Sequence, residues 1–390
     1  MTTNAKAYPT EEGKFKARRL TNRTMVTQLK TKLETDLSAD LSDILKQQAA
    51  SYPRLVEELA LVKSKPDPPS PARSVASSEL PYVLTDGAFE ITHTLSDDTR
   101  ALLLGEETAP DKHLSSPHRL SPDSVDVLNQ LLRQGELLHE LHSNWVVGLG
   151  NDMVVKIGPS IDLDHIDNLQ YVNDNVPGVP TPRFHGALRC DQQVYIFLSR
   201  APGVILESVW SELTRTQKLS VQQQLTALFH TLRAQPLPSD GFRLGGFKSG
   251  LCKDVRRSAR VSSEALLNEP AFNDFLCRKE GRTHTPWVSM IRSSLRDDHR
   301  IVMTHADLHP RNIMVNLEAE KGGERAIHVS SILDWEYAGW YPEHWEFVKA
   351  LNTFRHRGPL RDWYEYLPTE AIGKHFIEYS LDCQIDRWLG

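Results

Sequence analysis

One stretch of the sequence constrains the chain more than any other. It reads HADLHPRN over residues 305–312 and is followed by ILDWE at residues 332–336. An aspartate (Asp307), an asparagine five positions later (Asn312) and a further aspartate at a strand end (Asp334) form the arrangement that kinases use for phosphoryl transfer. There the first aspartate orients the acceptor hydroxyl and takes its proton, and the other two side chains hold magnesium through oxygen atoms. The stretch therefore predicts a catalytic loop and a metal-binding strand end.

Each of these residues also has a purely structural interpretation. Asp307 taken alone would be a cap of its turn, and Asp334 a cap of the strand before it. His305 is expected to pack and hydrogen-bond the loop, His309 to support it, and Pro310 to form a rigid corner. The combination of all three polar residues at this spacing favours catalysis for the two aspartates.

A lysine far upstream completes the pattern. Lys156 lies in the apolar run MVVKI at residues 153–157, which predicts a strand. In kinases such a lysine contacts the α- and β-phosphates of the nucleotide. The alternative is a lysine of an edge strand, where a charge protects against aggregation.

The helix after this strand lacks the glutamate that usually pairs with the lysine. Residues 162–169 read DLDHIDNL, and His165 stands where that partner is expected. Asp164 and Asp167 flank it, and an aspartate, one carbon shorter than glutamate, is the alternative partner for Lys156. This gap is the main departure from the pattern of a fully active enzyme.

Hydrophobic periodicity predicts a small β-rich lobe around the lysine. Its predicted elements are a helix at 124–138, strands at 145–147 and 153–157, a helix at 163–173, and strands at 183–189 and 193–199. Gly150 and Asn151 suit the positive φ angles of a hairpin turn between the first two strands. Ser199 and Ala201 are predicted to form the interlobe hinge, where backbone groups meet the adenine edge.

The rest of the chain is predicted to be mainly helical. Helices are expected at 217–235 and 287–295 and from residue 362 onward, with a hairpin around 312–316 and 329–333. The sequence thus predicts an α+β fold in three parts: a helical N-terminal extension over residues 1–80, a small lobe over residues 81–199, and a larger lobe over residues 200–390 that carries both motifs.

The N-terminal extension has a composition of its own. Leucines at helical spacing from Met25 to Leu61, interrupted by Pro53, predict two helices. Residues 65–78, rich in proline and serine, predict a linker. The helices are interpreted either as a hairpin docked on its own domain or as an arm that binds a protein partner.

Composition argues against several classes of function. The net charge is −6 and there is no basic stripe, so no nucleic-acid partner is expected. Apolar runs too short to span a bilayer and polar opening residues predict no membrane association and no secretory signal. Four scattered cysteines predict free thiols in a reducing compartment. A cytoplasmic location is expected; basic residues at 14–19 offer a mitochondrial alternative, which Glu11 and Glu12 disfavour.

Together these motifs resemble the phosphotransferase enzyme family, which includes aminoglycoside phosphotransferases and choline kinases, and especially its fungal members. The resemblance is carried by residues 154–158, 305–315 and 332–346. Trp335 and Glu336, where protein kinases have Phe and Gly, favour a small-molecule kinase. The resemblance implies a protein-kinase-like two-lobed fold that uses ATP, or GTP, with Mg²⁺ and a small-molecule acceptor.

Two departures from that family and one open question follow. Ala306 replaces a glycine between the histidine and the aspartate, which the loop is expected to tolerate, and the helix glutamate is missing. Acidic and aromatic residues behind Asp334 suggest a cationic acceptor, although packing is the favoured interpretation of the aromatic ones. These residues are Glu336, Glu343, Glu346, Trp335, Trp340, Tyr341 and Trp345.

Two other functions are alternatives to a small-molecule kinase. The second hypothesis is a nucleotide-binding kinase-fold scaffold without catalysis, and the third is a protein kinase.

Overall fold

The structure is a computed structural model of the 390-residue chain. It describes residues 80–83, 88–104, 119–141, 143–159, 161–162, 164–239, 241–255, 259–278, 285–319, 325–354 and 357–389, and in the N-terminal extension residues 21, 25, 32, 40–42, 44–46 and 48–52. The chain divides into two compact units, Met1–Ser78 and Glu79–Gly390.

The first unit is described at few positions. Thr21, Met25 and Lys32 are helical, as are the described residues among 42–52. Most of the two predicted helices and the whole predicted linker lie outside the described residues. The partner-binding arm stays a prediction, as do the exact boundaries of the three predicted parts.

The second unit begins with a six-stranded antiparallel sheet. Its strands are β1 (Glu90–His93), β2 (Glu136–Leu141), β3 (Asn144–Leu149), β4 (Met153–Gly158), β5 (Phe184–Cys190) and β6 (Gln193–Ser199). The helices described in this half are α1 (Asp97–Leu104), α2 (Pro122–Gln134) and α3 (Asp164–Asn175). The spatial order β1-β5-β6-β4-β3-β2 places β4 between β6 and β3. Lys156 therefore lies in an interior strand, and the edge-strand alternative is wrong.

The helix predicted at 124–138 ends earlier than expected. The Ser121 hydroxyl caps α2 by accepting the backbone N–H of Ser124. At Gly135 the chain then enters β2, which pairs with β3. A Cβ on Gly135 would lie 2.4 Å from Val147, so glycine permits this close passage. Leu137 and Leu138 continue the helical spacing in the sequence but are exposed on a strand.

The hairpin between β3 and β4 follows the prediction in part. Gly150 adopts a φ of +70°, as the turn requires, whereas Asn151 is not among the described residues with positive φ. The helix predicted at 163–173 is α3, and the two strands predicted after it are β5 and β6. Periodicity therefore located these elements to within one or two residues.

The second half of this unit is mainly helical. Its helices are α4 (Leu206–Val209), α5 (Arg215–Arg233), α6 (Glu269–Cys277), α7 (Pro286–Ser294), α8 (Trp345–Asn352), α9 (Thr369–Ile372) and α10 (Phe376–Leu389). Its short strands are β7 (Val204–Ile205), β8 (Lys253–Val255), β9 (Ala259–Val261), β10 (Ile301–Thr304), β11 (Ile313–Ala319), β12 (Arg325–Ile332) and β13 (Gly339–Pro342). Thr214 and Gln217 form a capping box at the start of α5, which begins two residues before the prediction.

One hairpin positions both sequence motifs. β11 and β12 are antiparallel, with Ile313 opposite Ile332. The N–H of Leu333 donates to the carbonyl of Asn312 at 2.8 Å, so the residue before Asp334 is tied to the end of the HADLHPRN loop. Ile313 and Ile332 are buried in the largest core cluster, which anchors the hairpin by its apolar side chains.

Two further predictions bear on the chain as a whole. All four cysteines are free thiols, as expected. Within the described ranges, no helix combines the length and the apolar character that crossing a bilayer requires.

Candidate active site

The loop that follows β10 is held by a buried glutamate. Glu346 of α8 is fully buried, and its Oε2 accepts the backbone N–H groups of His305 at 2.7 Å and Ala306 at 3.3 Å. Ala306 has a φ of +63°, a left-handed conformation that costs alanine about 1 kcal/mol. Burial raises the pKa of the Glu346 carboxyl above its ordinary value. These contacts fix the backbone just ahead of Asp307.

His305 is a structural residue of this loop. Its Nδ1 accepts the N–H of Asp307 at 3.2 Å, so the proton lies on Nε2, which donates to the carbonyl of Leu333 at 2.8 Å. The ring also packs edge-on against Trp335, with centroids 4.7 Å apart. His305 thereby joins the two motifs, in agreement with the structural interpretation of its sequence position.

Asp307 is fixed by its neighbours in the loop. Asn312 donates from Nδ2 to the Asp307 carboxylate at 2.7 Å and to the Asp307 carbonyl at 3.0 Å. Arg311 donates from Nη2 to both carboxylate oxygens, at 2.7 and 2.8 Å. Because the amide nitrogen of Asn312 is engaged, Oδ1 is the atom of that side chain available to a cation. Sequence reasoning missed Arg311, because the i,i+4 rule for ion pairs applies to helices and Asp307 lies in a loop.

Lys156 meets the carboxylates of the second motif. Its Nζ lies 2.6 Å from Asp334 Oδ1 and 4.0 Å from Glu336 Oε2. Burial is the largest single influence on Asp334 and opposes its charged form, but the charge and the hydrogen bond of Lys156, together with smaller contributions from nearby groups, hold the pKa of this carboxyl well below its ordinary value. Burial and the adjacent Asp334 raise the pKa of Glu336. The four predicted residues Lys156, Asp307, Asn312 and Asp334 thus form two contacting pairs.

His165 does not replace the missing glutamate as a charge partner. Its Nδ1 lies 3.8 Å from Asp334 Oδ1, and among the described residues neither ring nitrogen has a hydrogen-bond partner. Burial and the charge of Lys156 lower the pKa of His165 to about 3, so the ring is neutral. The nearest carboxylate to Lys156 belongs to Asp334.

The aspartates on either side of His165 are committed elsewhere. Asp164 pairs with the buried Lys253 at 2.8 Å and accepts the hydroxyl of Ser249 at 2.8 Å. Asp167 pairs with Lys248 at 3.0 Å. The prediction that an aspartate of this helix reaches Lys156 is therefore wrong. Lys253 was missed because a lysine distant in sequence carries no local signal of such pairing.

The donor atoms at the strand end suit a magnesium ion. His165, Asp334 and Glu336 each present a ligand atom within 4.8 Å of the others. Carboxylate and amide oxygens are the ligands that Mg²⁺ prefers, and the lowered pKa of Asp334 keeps its carboxylate ionised. Asp334 and Glu336 therefore fit the ion, and Asn312 as a further ligand stays a prediction. Sequence reasoning considered Glu336 for the acceptor instead.

At the predicted hinge, Ser199 is already hydrogen-bonded to another segment of the protein. The N–H of Ser199 donates to the carbonyl of Arg183 at 2.9 Å, and its hydroxyl accepts the N–H of Arg183 at 2.8 Å. The N–H of Ser199 is therefore engaged within the protein and is not available to an adenine. Contacts of Ser199 and Ala201 with a nucleotide stay a prediction.

Comparison with known protein families agrees with this geometry. A model of the phosphotransferase enzyme family (APH) matches residues 136–371, more than half of the chain. The chain belongs to that family. Membership confirms the resemblance drawn from the motifs and the protein-kinase-like two-lobed α+β fold.

Several solved structures of aminoglycoside phosphotransferases are similar to the chain. The GDP and kanamycin complex of APH(2'')-IIIa is 15% identical over 66% of this chain and 83% of that one, with a TM-score of 0.45. APH(4)-Ia is 14% identical over 67% and 90%, with a TM-score of 0.42. The streptomycin–ATP complex of APH(2'')-IIa is 9% identical over 68% and 85%, also with a TM-score of 0.42. A search of curated proteins gave no significant match.

The aromatic residues behind Asp334 pack in the core of this family member. Trp335, Trp340, Tyr341 and Trp345 are each no more than 2% exposed. This burial confirms the packing interpretation and removes them as a surface for a cationic acceptor. Of the acidic residues near them, Glu346 accepts the N–H groups of His305 and Ala306 in the candidate catalytic loop, so its carboxylate is also engaged.

Proposed function

We propose that the protein is an ATP- and Mg²⁺-dependent kinase that transfers the γ-phosphoryl group to a hydroxyl of a small molecule. The observation that carries the proposal is the convergence of two pairs of residues. Asn312 contacts Asp307 at 2.7 Å, and Lys156 contacts Asp334 at 2.6 Å. The backbone hydrogen bond from Leu333 to Asn312 ties the pairs together. A chain that only scaffolds other proteins has no physical need for all four side chains in one place.

Asp307 is the group that handles the proton. The acceptor oxygen forms a bond to the γ-phosphorus, the bond from that phosphorus to the β–γ bridging oxygen breaks, and ADP leaves. Asp307 orients the acceptor hydroxyl and takes its proton as the bond forms. Asn312 keeps the carboxylate oriented through its 2.7 Å hydrogen bond.

Lys156 and the carboxylates handle the phosphate charge. Lys156 supplies a positive charge to the α- and β-phosphates. Asn312 and Asp334, with Glu336 beside them, would hold magnesium, which neutralises charge on the phosphate oxygens. Since Lys156 contacts Asp334 in this structure, binding of nucleotide and metal would replace that ion pair by a contact of Lys156 with phosphate and a contact of Asp334 with the metal. The hinge groups of Ser199 and Ala201 would contact the adenine edge.

A catalytically silent scaffold is the second candidate. It is favoured by His165, which is neutral and gives Lys156 no helix carboxylate. Such a protein would bind nucleotide, but Lys156 would stay poorly oriented toward the phosphates. The two candidates differ in turnover and not in nucleotide binding.

The test is magnesium-dependent formation of ADP or GDP by the full chain with a panel of hydroxylated amines and other small alcohols. Asp307→Asn is expected to lower turnover by about 10²–10⁴-fold while nucleotide binding persists. Asp298→Asn is the matched control, since Asp298 is an exposed partner of Arg296, and should leave turnover unchanged.

Three outcomes distinguish the candidates. Turnover that Asp307→Asn abolishes supports the kinase and identifies its acceptor. Nucleotide binding without turnover on any acceptor supports the scaffold. A chain that binds neither nucleotide nor magnesium contradicts both proposals.

A further inference from the structure

A second cluster of histidines and glutamates lies in the helical half of the second unit. It consists of Glu269 at the start of α6, His299 before β10, His344 before α8, and His375 and Glu378 at the start of α10. All but the half-buried His375 are buried. With neutral imidazoles the cluster carries two negative charges, and buried charges require a compensating partner.

Glu269 orients the imidazole of His299. Its Oε2 accepts the backbone N–H of His299 at 2.7 Å, and its Oε1 lies 2.7 Å from His299 Nδ1. A carboxylate only accepts, so Nδ1 carries a proton. A carboxylate behind the far nitrogen of an imidazole is the arrangement that supports metal-binding histidines.

The other nitrogen of His299 points at a second carboxylate. Nε2 is buried and has no hydrogen-bond partner among the described residues, and it lies 3.5 Å from Glu378 Oε1. Two atoms bound to one zinc ion at 2.0–2.1 Å lie about 3.3 Å apart in tetrahedral geometry. The observed separation therefore leaves room for an ion that binds both.

A third ligand comes from the same helix end as Glu378. His375 Nδ1 lies 3.9 Å from Glu378 Oε2, and His299, His375 and Glu378 each present one ligand atom within 4.8 Å of the others. His375 is half-buried, which provides a route from solvent to the site. Two imidazoles and one carboxylate suit zinc and its neighbours in the first transition row and not magnesium or calcium.

We propose that His299, His375 and Glu378 bind a divalent transition-metal ion of the zinc class, with Glu269 as the residue that positions His299. The ion connects the start of α10, which carries His375 and Glu378, to His299 in the segment before β10. Glu269, at the start of α6, lies on the other side of the His299 ring. The charge of the ion offsets that of Glu378, which binds it directly. Through His299 the ion also orients Glu269. Its role is structural, because none of its ligands contacts Lys156, Asp307, Asn312 or Asp334 in the hydrogen bonds described above.

Two other arrangements compete with this one. In the first, a proton shared by His299 and the two carboxylates supplies a positive charge, but His375 has no role in the cluster. A metal held instead by Glu269, His299 and His344 also has its ligand atoms within 4.8 Å. That arrangement breaks the 2.7 Å contact between Glu269 and His299 and lies among fully buried side chains.

The test is zinc binding by the full chain with Asp334→Asn, which removes a carboxylate of the candidate magnesium site. We expect about one tightly bound zinc per chain by metal analysis after dialysis, and a visible absorption band when cobalt replaces zinc. Glu378→Gln and His375→Ala should each weaken zinc binding by more than about 100-fold, and Glu269→Gln by about 10–100-fold. His230→Ala, at an exposed histidine of α5, is the matched control and should bind zinc as the parent does.

Thermal unfolding provides a second readout. Zinc at about 100 times its Kd should raise the Tm of the parent by roughly 5 °C, and Glu378→Gln, which keeps the size of the side chain, should lose that rise. The proposal is overturned if the parent binds no stoichiometric zinc, in which case a proton balances the cluster. It is equally overturned if Glu378→Gln and His375→Ala bind zinc as the parent does, or if His344→Ala abolishes binding and Glu378→Gln does not.

Discussion

The two sides of the candidate active site are built in opposite ways. On the catalytic-loop side, backbone and side-chain groups from His305 to Asn312 are held by hydrogen bonds that include the buried Glu346. On the lysine side, Lys156 is held by its ion pair with Asp334, and His165 next to it has two ring nitrogens without hydrogen bonds among the described residues. In the proposed function, the first side is fixed before substrate binds, whereas the second exchanges partners.

This difference shows how one site divides its tasks. In the proposed function, the base Asp307 and its supporting residues need a constant geometry, because proton transfer depends on distances of about 3 Å. In the same proposal, the charge of Lys156 needs a partner that it can release, and Asp334 would hold Lys156 until phosphate and metal bind. The departure from the family pattern at His165 falls on the exchangeable side.

Removing the cation of the lysine side should have the largest effect on turnover. Lys156→Met should abolish detectable turnover, with a loss of at least about 10²-fold, because no positive charge remains for the phosphates. Stability should also fall, by about 2 kcal/mol, since Asp334 loses its partner. Steady-state kinetics and urea unfolding measure the two effects.

Lys248→Met is the matched control for that variant. Lys248 pairs with Asp167 but its side chain is 73% exposed, so its loss should cost less than about 1 kcal/mol. Equal effects of the two substitutions would contradict the special place given to Lys156.

The catalytic-loop side can be loosened through its anchor. Glu346→Gln replaces a charged acceptor of two backbone N–H groups by a neutral one and should cost about 2 kcal/mol of stability. Turnover should fall about tenfold, because the loop that carries Asp307 becomes less well positioned. Urea unfolding and kcat at saturating nucleotide give the two numbers.

Glu343→Gln serves as the control, because Glu343 pairs with the exposed Arg300 at 2.8 Å. It should change stability by less than about 1 kcal/mol. If Glu346→Gln leaves both stability and kcat unchanged, the loop is not held in the way described here.

The smallest expected effect comes from adding the missing carboxylate. His165→Glu gives Lys156 a helix partner that it can keep when Asp334 binds metal, so turnover should rise by about threefold. His165→Gln, which adds no charge, should show no rise. A fall in turnover with His165→Glu alone would mean that the neutral imidazole is required by this site.

Much of this arrangement could be predicted from the sequence, and the reasons for the failures are specific. The strands around Lys156 and the hairpin that carries Asn312 and Asp334 have period-two or apolar patterns, so local sequence determines them. Strand β2 was missed because Leu137 and Leu138 match a helical spacing equally well. The choice was made by pairing with β3, a contact that periodicity does not report.

The charge partners were harder to predict than the motif residues. Asp164 seemed free to serve Lys156, but Lys253, nearly 90 positions later in the chain, takes it. Glu346 was considered for an acceptor, and its burial under the catalytic loop follows from the position of α8. Such pairings depend on tertiary structure, and no spacing rule covers them.

The backbone at Ala306 and Asp334 has a consequence for which residues these positions accept. Both residues are left-handed, with φ of +63° at Ala306 and +66° at Asp334. Ala306 directly precedes the motif aspartate Asp307, and Asp334 is itself the second motif aspartate. Ala306 is also 2% exposed, so a larger side chain would meet both a strained backbone and a filled core. Position 306 is in effect restricted to glycine and alanine, while at position 334 the carboxylate excludes the glycine that would relax the chain. Glycine is therefore compatible with the strained backbone at position 306, whereas at position 334 it would remove the carboxylate.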